Sequence, residues 1–245
     1  MDYEIMMNGI VKIGTYAPDF EAITTMGKTE LSSYRGKWVV LFSHPGDFTP
    51  VCTTEIIAFS MANEYFENLN TCLIGLSVDS NSSHLAWLYD IYLKTGVKVP
   101  FPIIADRNGE IARKYGMISN DISNTETVRN VFIIDPDGIV RAIFVYPMNV
   151  GRFIPEILRT VHALQVSKSS NASMPANWVP CQPVILKSPK TFNELIEREE
   201  EIRKNNNGMS WYLSYKEPKN CYVKIDNKYR ETKSDVDNEK KDNNN

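Results

Sequence analysis

Two continuous apolar runs of strand length constrain this chain more than any other feature. WVVLFS (Trp38–Ser43) and CLIGLSV (72–78) lack the alternation of a half-exposed strand. Each therefore suits a sheet covered on both faces. Between them Ile56, Phe59, Ala62 and Phe66 recur at three- and four-residue spacing, the pattern of one buried helix face. Pro50 fits the first turn of that helix, where the N–H it lacks would have no intrahelical partner. Strand, helix and strand make a βαβ unit with a right-handed crossover.

The alternation continues. SSHLAWLYDIYLK (82–94) predicts a helix, FPIIAD a short strand, and GEIARKYG a short helix closed by Gly116. NVFII and IVRAIFV flank Asp135-Pro136-Asp137-Gly138, a hairpin signal. A last helix spans 154–165, with Ile154, Leu158 and Val161 on one face. The order β-α-β-α-β-α-β-β-α predicts an α/β domain over 1–165, a mixed β-sheet flanked by helices in the manner of thioredoxin. Beyond it the Ser- and Pro-rich SKSSNASMPANWVPCQPVILKSP predicts an ordered arm with little regular structure, and FNELIEREEEIRK a charged helix. The arm is read as 166–227. Residues 228–245, mostly Asn, Asp and Lys, have almost nothing to bury and read as a disordered tail.

The totals exclude several function classes. A chain of 245 residues holds one main domain and an appendage. A net charge of −3 argues against a nucleic-acid partner. No apolar run approaches the roughly 20 residues needed to span a bilayer. The acidic start MDYEIMMNGIVKIG lacks the basic region and long apolar core of a signal peptide, so the expected setting is cytoplasmic. The sequons at Asn81 and Asn171 then read as chance matches. The four cysteines, Cys52, Cys72, Cys181 and Cys221, form no C-x-x-C and do not cluster with the three histidines. No zinc site or disulfide framework is expected, which leaves free thiols.

Cys52, in HPGDFTPVCTTE (44–55), follows a buried strand and falls in the first turn of the next helix. Helix N-termini favour thiolates, and sites in open α/β sheets collect at this strand edge. Position alone leaves Cys52 open between a buried core thiol and a nucleophile. A free thiol of pKa ~8.5 is about 3% ionised at neutral pH, and lowering the pKa to ~6 gains roughly 30-fold. Enzymes commonly accelerate reactions more than ~10⁶-fold, so such a site also has to stabilise the charge on the departing atom. Thr49 offers a hydroxyl three residues before the sulfur. A cation has to come from elsewhere in the chain.

Pro45-x-x-x-Thr49-x-x-Cys52 resembles the P-x-x-x-T-x-x-C signature of peroxiredoxins, cysteine peroxidases on a thioredoxin-like fold. Ser43 to Glu55 resembles the one-cysteine, peroxiredoxin-6-type subfamily more closely still, and the likeness runs through LIGLSVDS with His84 and Trp87, PFPIIAD, TVRNVFIIDPDG, VYPMNVGR and PANW at Trp178. The resemblance implies a thiol peroxidase that reduces hydrogen peroxide and small organic hydroperoxides through a sulfenic acid. Cys52 would be the nucleophile, Thr49 would hold the peroxide in line, and Pro45 would shield the sulfur. Arg129 would pair with the thiolate, Arg152 and Glu55 would order the pocket, and His44 would donate or relay hydrogen bonds. No metal, haem or flavin is implied.

Lys37 stands where phospholipid-hydrolysing members of the subfamily carry a serine, so lipase-type chemistry is not expected. For the reductive half-reaction three sources stay open: Cys221 from a partner subunit, Cys181, or an external thiol such as thioredoxin or glutathione. The resemblance also implies a homodimer with a C-terminal dimerisation arm, and rings such as decamers. A ring-forming holdase chaperone is the reading from a different class. A thiol–disulfide oxidoreductase is disfavoured without C-x-x-C.

Overall fold

The computed structural model describes residues 11–218, except residue 120. Cys221 and the 227/228 boundary lie outside the described residues. The chain divides into two compact units that part after Gln165.

The first unit is built on a seven-stranded mixed sheet. Its strands are β1 (Glu21–Thr24), β2 (Gly27–Glu30), β3 (Trp38–Ser43), β4 (Thr71–Ser77), β5 (Ile103–Ala105), β6 (Arg129–Ile134) and β7 (Val140–Tyr146). Their order across the sheet is β2-β1-β5-β4-β3-β6-β7. The βαβ unit forms as expected, with β3 parallel to β4 around helix α1 (Pro50–Asn68). Helices α2 (Asn81–Thr95), α3 (Glu110–Lys114) and α4 (Ile154–Ser170) follow. Ser80 caps α2 by accepting from the Ser83 N–H. Gly116, with φ +66°, turns the chain beyond α3.

β3 is buried along its whole length, and its alternate side chains feed two cores. Trp38, Val40 and Phe42 pack with Phe59 and Phe66 of α1, Trp87 and Ile91 of α2, and Ile157 and Val161 of α4. Val39 and Leu41 pack on the other face with Phe20, Ile74, Leu76, Tyr115 and Phe132. Each fully buried Leu, Ile or Phe contributes about 1.5–3 kcal/mol. This two-sided burial explains the uninterrupted apolar runs within β3 and β4. The β6–β7 hairpin turns at Asp135–Gly138, where the Gly138 N–H donates to the Asp135 carbonyl. Gly138 has φ +79°, and a Cβ there would collide with the Arg35 guanidinium.

In the second unit the Ser- and Pro-rich stretch beyond α4 is mostly irregular, as expected, apart from the short strands β8 (Ala172–Ser173) and β9 (Val184–Leu186). With β10 (Gly208–Ser210) and β11 (Leu213–Lys216), which the sequence did not predict, these form a four-stranded sheet ordered β10-β11-β9-β8. These strands are two to four residues long, too short for a periodic signal. The charged helix forms as α5 (Phe192–Asn205), capped by Thr191. Glu199 of α5 accepts from the Trp211 N–H and the Ser210 hydroxyl, which ties the β10–β11 hairpin to the helix. Among the described residues no helix is long and apolar enough to cross a membrane.

Candidate active site

The site forms where β3 ends and β6 begins. Because β6 runs antiparallel to β3, with Phe42 opposite Val131, the first residue of β6 lies near the last of β3. That residue is Arg129. Cys52 enters from the other side of the same strand end, in the first turn of α1 behind its N-cap Thr49 and Pro50. Its side chain is fully buried, as are Arg129, Arg152 and Glu55 to within a few per cent.

Arg129 provides the cation that the sequence argument demanded. Its Nη1 lies 3.3 Å from Cys52 Sγ and donates to Glu55 Oε2 at 2.7 Å. Its Nε donates to the Met148 carbonyl at 2.9 Å, which fixes the plane of the guanidinium. Arg152 grips the same carboxylate through its backbone N–H, Nε and Nη2, at 2.8, 2.8 and 2.7 Å. Its Nη1 donates to the Ser43 and Asn130 carbonyls, and the guanidinium lies 5.1 Å from the Phe42 ring centroid. Glu55 thus receives four N–H bonds, about the capacity of a carboxylate. Burial alone would raise its pKa, but the bonds and charge of Arg152 and the charge of Arg129 outweigh it and hold the carboxyl below its ordinary value. Two cations and one anion leave a single positive charge beside the sulfur, which a thiolate neutralises.

The loop between β3 and α1 frames the opening. Pro45 is buried directly after His44. The Thr49 hydroxyl donates to the Gly46 carbonyl at 2.9 Å, which leaves its lone pairs able to accept. Phe48 sits at φ 55°, a costly conformation for a bulky side chain and one that recurs at functional sites. The His44 carbonyl accepts from Thr127 at 2.8 Å. Its ring lies 5.3 Å from that of Trp87, whose indole N–H donates to Thr53, the neighbour of Cys52, at 3.3 Å.

All seven residues singled out in the core domain gather here. Asp47 was not singled out, and His84 entered only as part of the family likeness, with no role at the site. Asp47 accepts from His44 Nε2 at 3.1 Å and from His84 Nδ1 at 2.9 Å. H-x-x-D inside one loop was the available signal, but the partner on α2 is 37 residues further on. The donor atoms of these three residues lie within 4.8 Å of one another, close enough to share a divalent ion. Each nitrogen–oxygen separation is nevertheless that of a hydrogen bond, which accounts for the arrangement without a metal.

Of the other thiols, Cys72 is half-buried at the start of β4, and burial pushes its pKa up. Cys181 corrects the expectation of free thiols: its sulfur is in a disulfide, so it is not available as the resolving thiol.

Comparison with known proteins agrees with this geometry. Residues 13–143 match the AhpC/TSA family. Peroxiredoxin 2 of Caldanaerobacter subterraneus subsp. tengcongensis is 55% identical over 208 residues, covering 84% of this chain and 92% of the relative. This chain is a peroxiredoxin. Peroxiredoxin 2 of Picrophilus torridus is 51% identical over 203 residues, covering 83% of this peroxiredoxin and 98% of the relative. Among solved structures, the yeast mitochondrial 1-Cys peroxiredoxin superposes with a TM-score of 0.73 at 37% identity, covering 85% of this chain and all of that one (100%). Peroxiredoxin 6 of Arenicola marina gives a TM-score of 0.73 at 32% identity, with coverage of 86% and 99%. The thioredoxin-like fold is therefore one that this chain shares with one-cysteine peroxiredoxins. The peroxiredoxin is a thiol-dependent peroxidase that reduces hydroperoxides through a cysteine sulfenic acid.

Proposed function

We propose that Cys52 is the peroxidatic nucleophile and that Arg129 is the cation that stabilises its thiolate and the departing oxygen. The observation that carries this reading is the 3.3 Å approach of Arg129 Nη1 to Sγ, with the same nitrogen tied to Glu55. The thiolate attacks the terminal peroxide oxygen. A sulfur–oxygen bond forms, the oxygen–oxygen bond breaks, and the pair of electrons leaves on hydroxide or alkoxide, which takes a proton from water. Donors aimed at developing charge in a dry pocket are worth far more than in water. Thr49 holds the peroxide in line through its open lone pairs, and Pro45 covers the sulfur. Arg152 and Glu55 keep Arg129 in place, and His44 supplies a further hydrogen-bonding group.

The reductant in this proposal is an external thiol of the thioredoxin or glutathione kind, as named for the yeast relative. A homodimer is the proposed unit, with a decameric ring as its larger assembly. Support comes from β7, an edge strand that exposes Val145, since unpaired edges readily accept a second copy. The proposed setting is the cytoplasm, whose thiol reductants would return an oxidised Cys52 to the reduced form.

Trapping decides the nucleophile. The reduced protein is mixed with one equivalent of hydrogen peroxide and a diketone that captures sulfenic acids, then digested for mass spectrometry. The adduct is expected on Cys52. An adduct on Cys72 in its place would overturn the assignment.

A further inference from the structure

Beside the arginine-held carboxylate lies a second buried acid, and its partners define where protons sit. The side chains of His44, Asp47 and His84 are 0%, 2% and 0% exposed. Asp47 reaches His44 Nε2 through Oδ1 at 3.1 Å, and His84 Nδ1 through Oδ1 and Oδ2 at 3.0 and 2.9 Å. The remaining His84 nitrogen, Nε2, lies 3.2 Å from the Ile104 carbonyl. The loop is pinned as well: the Asp47 N–H donates to Asp79, which accepts from the Ser77 hydroxyl.

An ionised carboxylate only accepts, so the ring nitrogens facing Asp47 carry the protons of these hydrogen bonds. Burial would raise the Asp47 pKa, but the bonds from His44 and His84 outweigh it and hold the group well below the usual carboxylate range. His44 then carries its proton on Nε2. Burial keeps the ring from charging, helped by His84 and Arg152 and opposed by Asp47. A neutral ring with the proton on Nε2 has its lone pair on Nδ1. That atom is buried and has no hydrogen-bond partner. A buried acceptor left open in this way is costly unless something fills it in use.

We propose that Asp47, braced by His84, is a positioning residue that fixes His44 in the Nε2–H tautomer, so that Nδ1 accepts a hydrogen bond from the O–H of the peroxide under attack. The proposal rests on Cys52 as the nucleophile. The attacked oxygen keeps its hydrogen while the oxygen–oxygen bond breaks, and the same O–H becomes that of the sulfenic acid. His44 neither gains nor loses a proton. The acceptor therefore selects peroxides with a terminal O–H, hydrogen peroxide and alkyl hydroperoxides, over dialkyl peroxides.

Asp47→Asn tests this. Its amide can turn an N–H toward His44 Nε2, which moves the ring proton to Nδ1 and removes the acceptor. Nitrogen-15 NMR of the histidines is expected to show the tautomer change. Oxidation of Cys52 by hydrogen peroxide is expected to slow about tenfold, the loss of one well-placed hydrogen bond. Alkylation of Cys52 by iodoacetamide, which offers no O–H, is expected to keep its wild-type rate. A merely structural role would slow both reactions together or neither. His84→Gln, which loosens Asp47 without removing it, is expected to slow peroxide oxidation two- to threefold and serves if Asp47→Asn does not fold. An unchanged tautomer in Asp47→Asn, or equal slowing of both reactions in either variant, would overturn the proposal. Failure of the underlying reading is distinguishable, because Cys52 of the wild type would then give no trapped sulfenic acid.

Discussion

Glu55 and Asp47 are both carboxylates with side chains only 2% exposed, and each is gripped by two basic groups. Glu55 is held by arginines, which stay charged at any ordinary pH. Asp47 is held by histidines, whose protons can be gained, lost or moved between ring nitrogens. The difference divides the work around Cys52. The arginine cluster sets a permanent charge beside the sulfur, and the histidine cluster sets the direction of a hydrogen bond. Substitutions in the first should act on stability and on the bond-breaking step. Substitutions in the second should act on orientation and on acid sensitivity.

The largest effect is expected from Glu55→Leu, which leaves two buried guanidinium groups facing one another without their anion. Removing one partner of a buried ion pair costs about 3–5 kcal/mol, readable as a lower urea midpoint. A loss below about 1 kcal/mol would mean that the arginines are not paired as described. Next comes Arg129→Met. It removes the donor nearest Cys52 Sγ and is expected to lower the rate constant for peroxide about 100-fold or more. A loss of under threefold would break the distinction between the two clusters.

That arginine also shows how the sequence could and could not be read. Nothing local marks Arg129 as more than a charge at a strand start. It became a candidate through the likeness of TVRNVFIIDPDG to a known family, and the antiparallel register of β6 against β3 explains its place physically. β3, β4 and α1 were legible because two-sided burial leaves uninterrupted apolar runs and one helix face leaves a clear period. The β1–β2 hairpin was not legible, since its residues are mostly exposed or half-buried and carry no apolar run. The strands of the second unit were too short to leave a pattern. Asp47 and His84 meet only because α2 packs against the loop after β3, a pairing that no local spacing encodes.

A smaller effect separates the clusters by pH. The pKa values of Asp47 and Glu55 are held down in the folded protein, and those of His44 and His162 are lowered by burial. For all four the unfolded chain binds more protons, so stability falls as pH falls. The histidine share is lost from about pH 6.5 downward and the carboxylate share below about pH 4.5, near their unfolded values. Urea midpoints across this range should decline in that order. Asp47→Asn should flatten the decline below about pH 4.5, where its carboxylate share is lost. An equally steep curve would show that Asp47 is not held as described. The smallest effect is expected at Cys72, whose pKa is raised by burial. Cys72→Ser should leave the peroxide rate within about twofold of wild type, since the thiolate is the reactive form.

The most direct test is stopped-flow oxidation of the reduced protein by hydrogen peroxide, wild type beside Cys52→Ser. A rapid phase in the wild type that is absent from the variant is the expected result. Equal, slow rates in both would contradict the assignment of Cys52 as the reacting thiol.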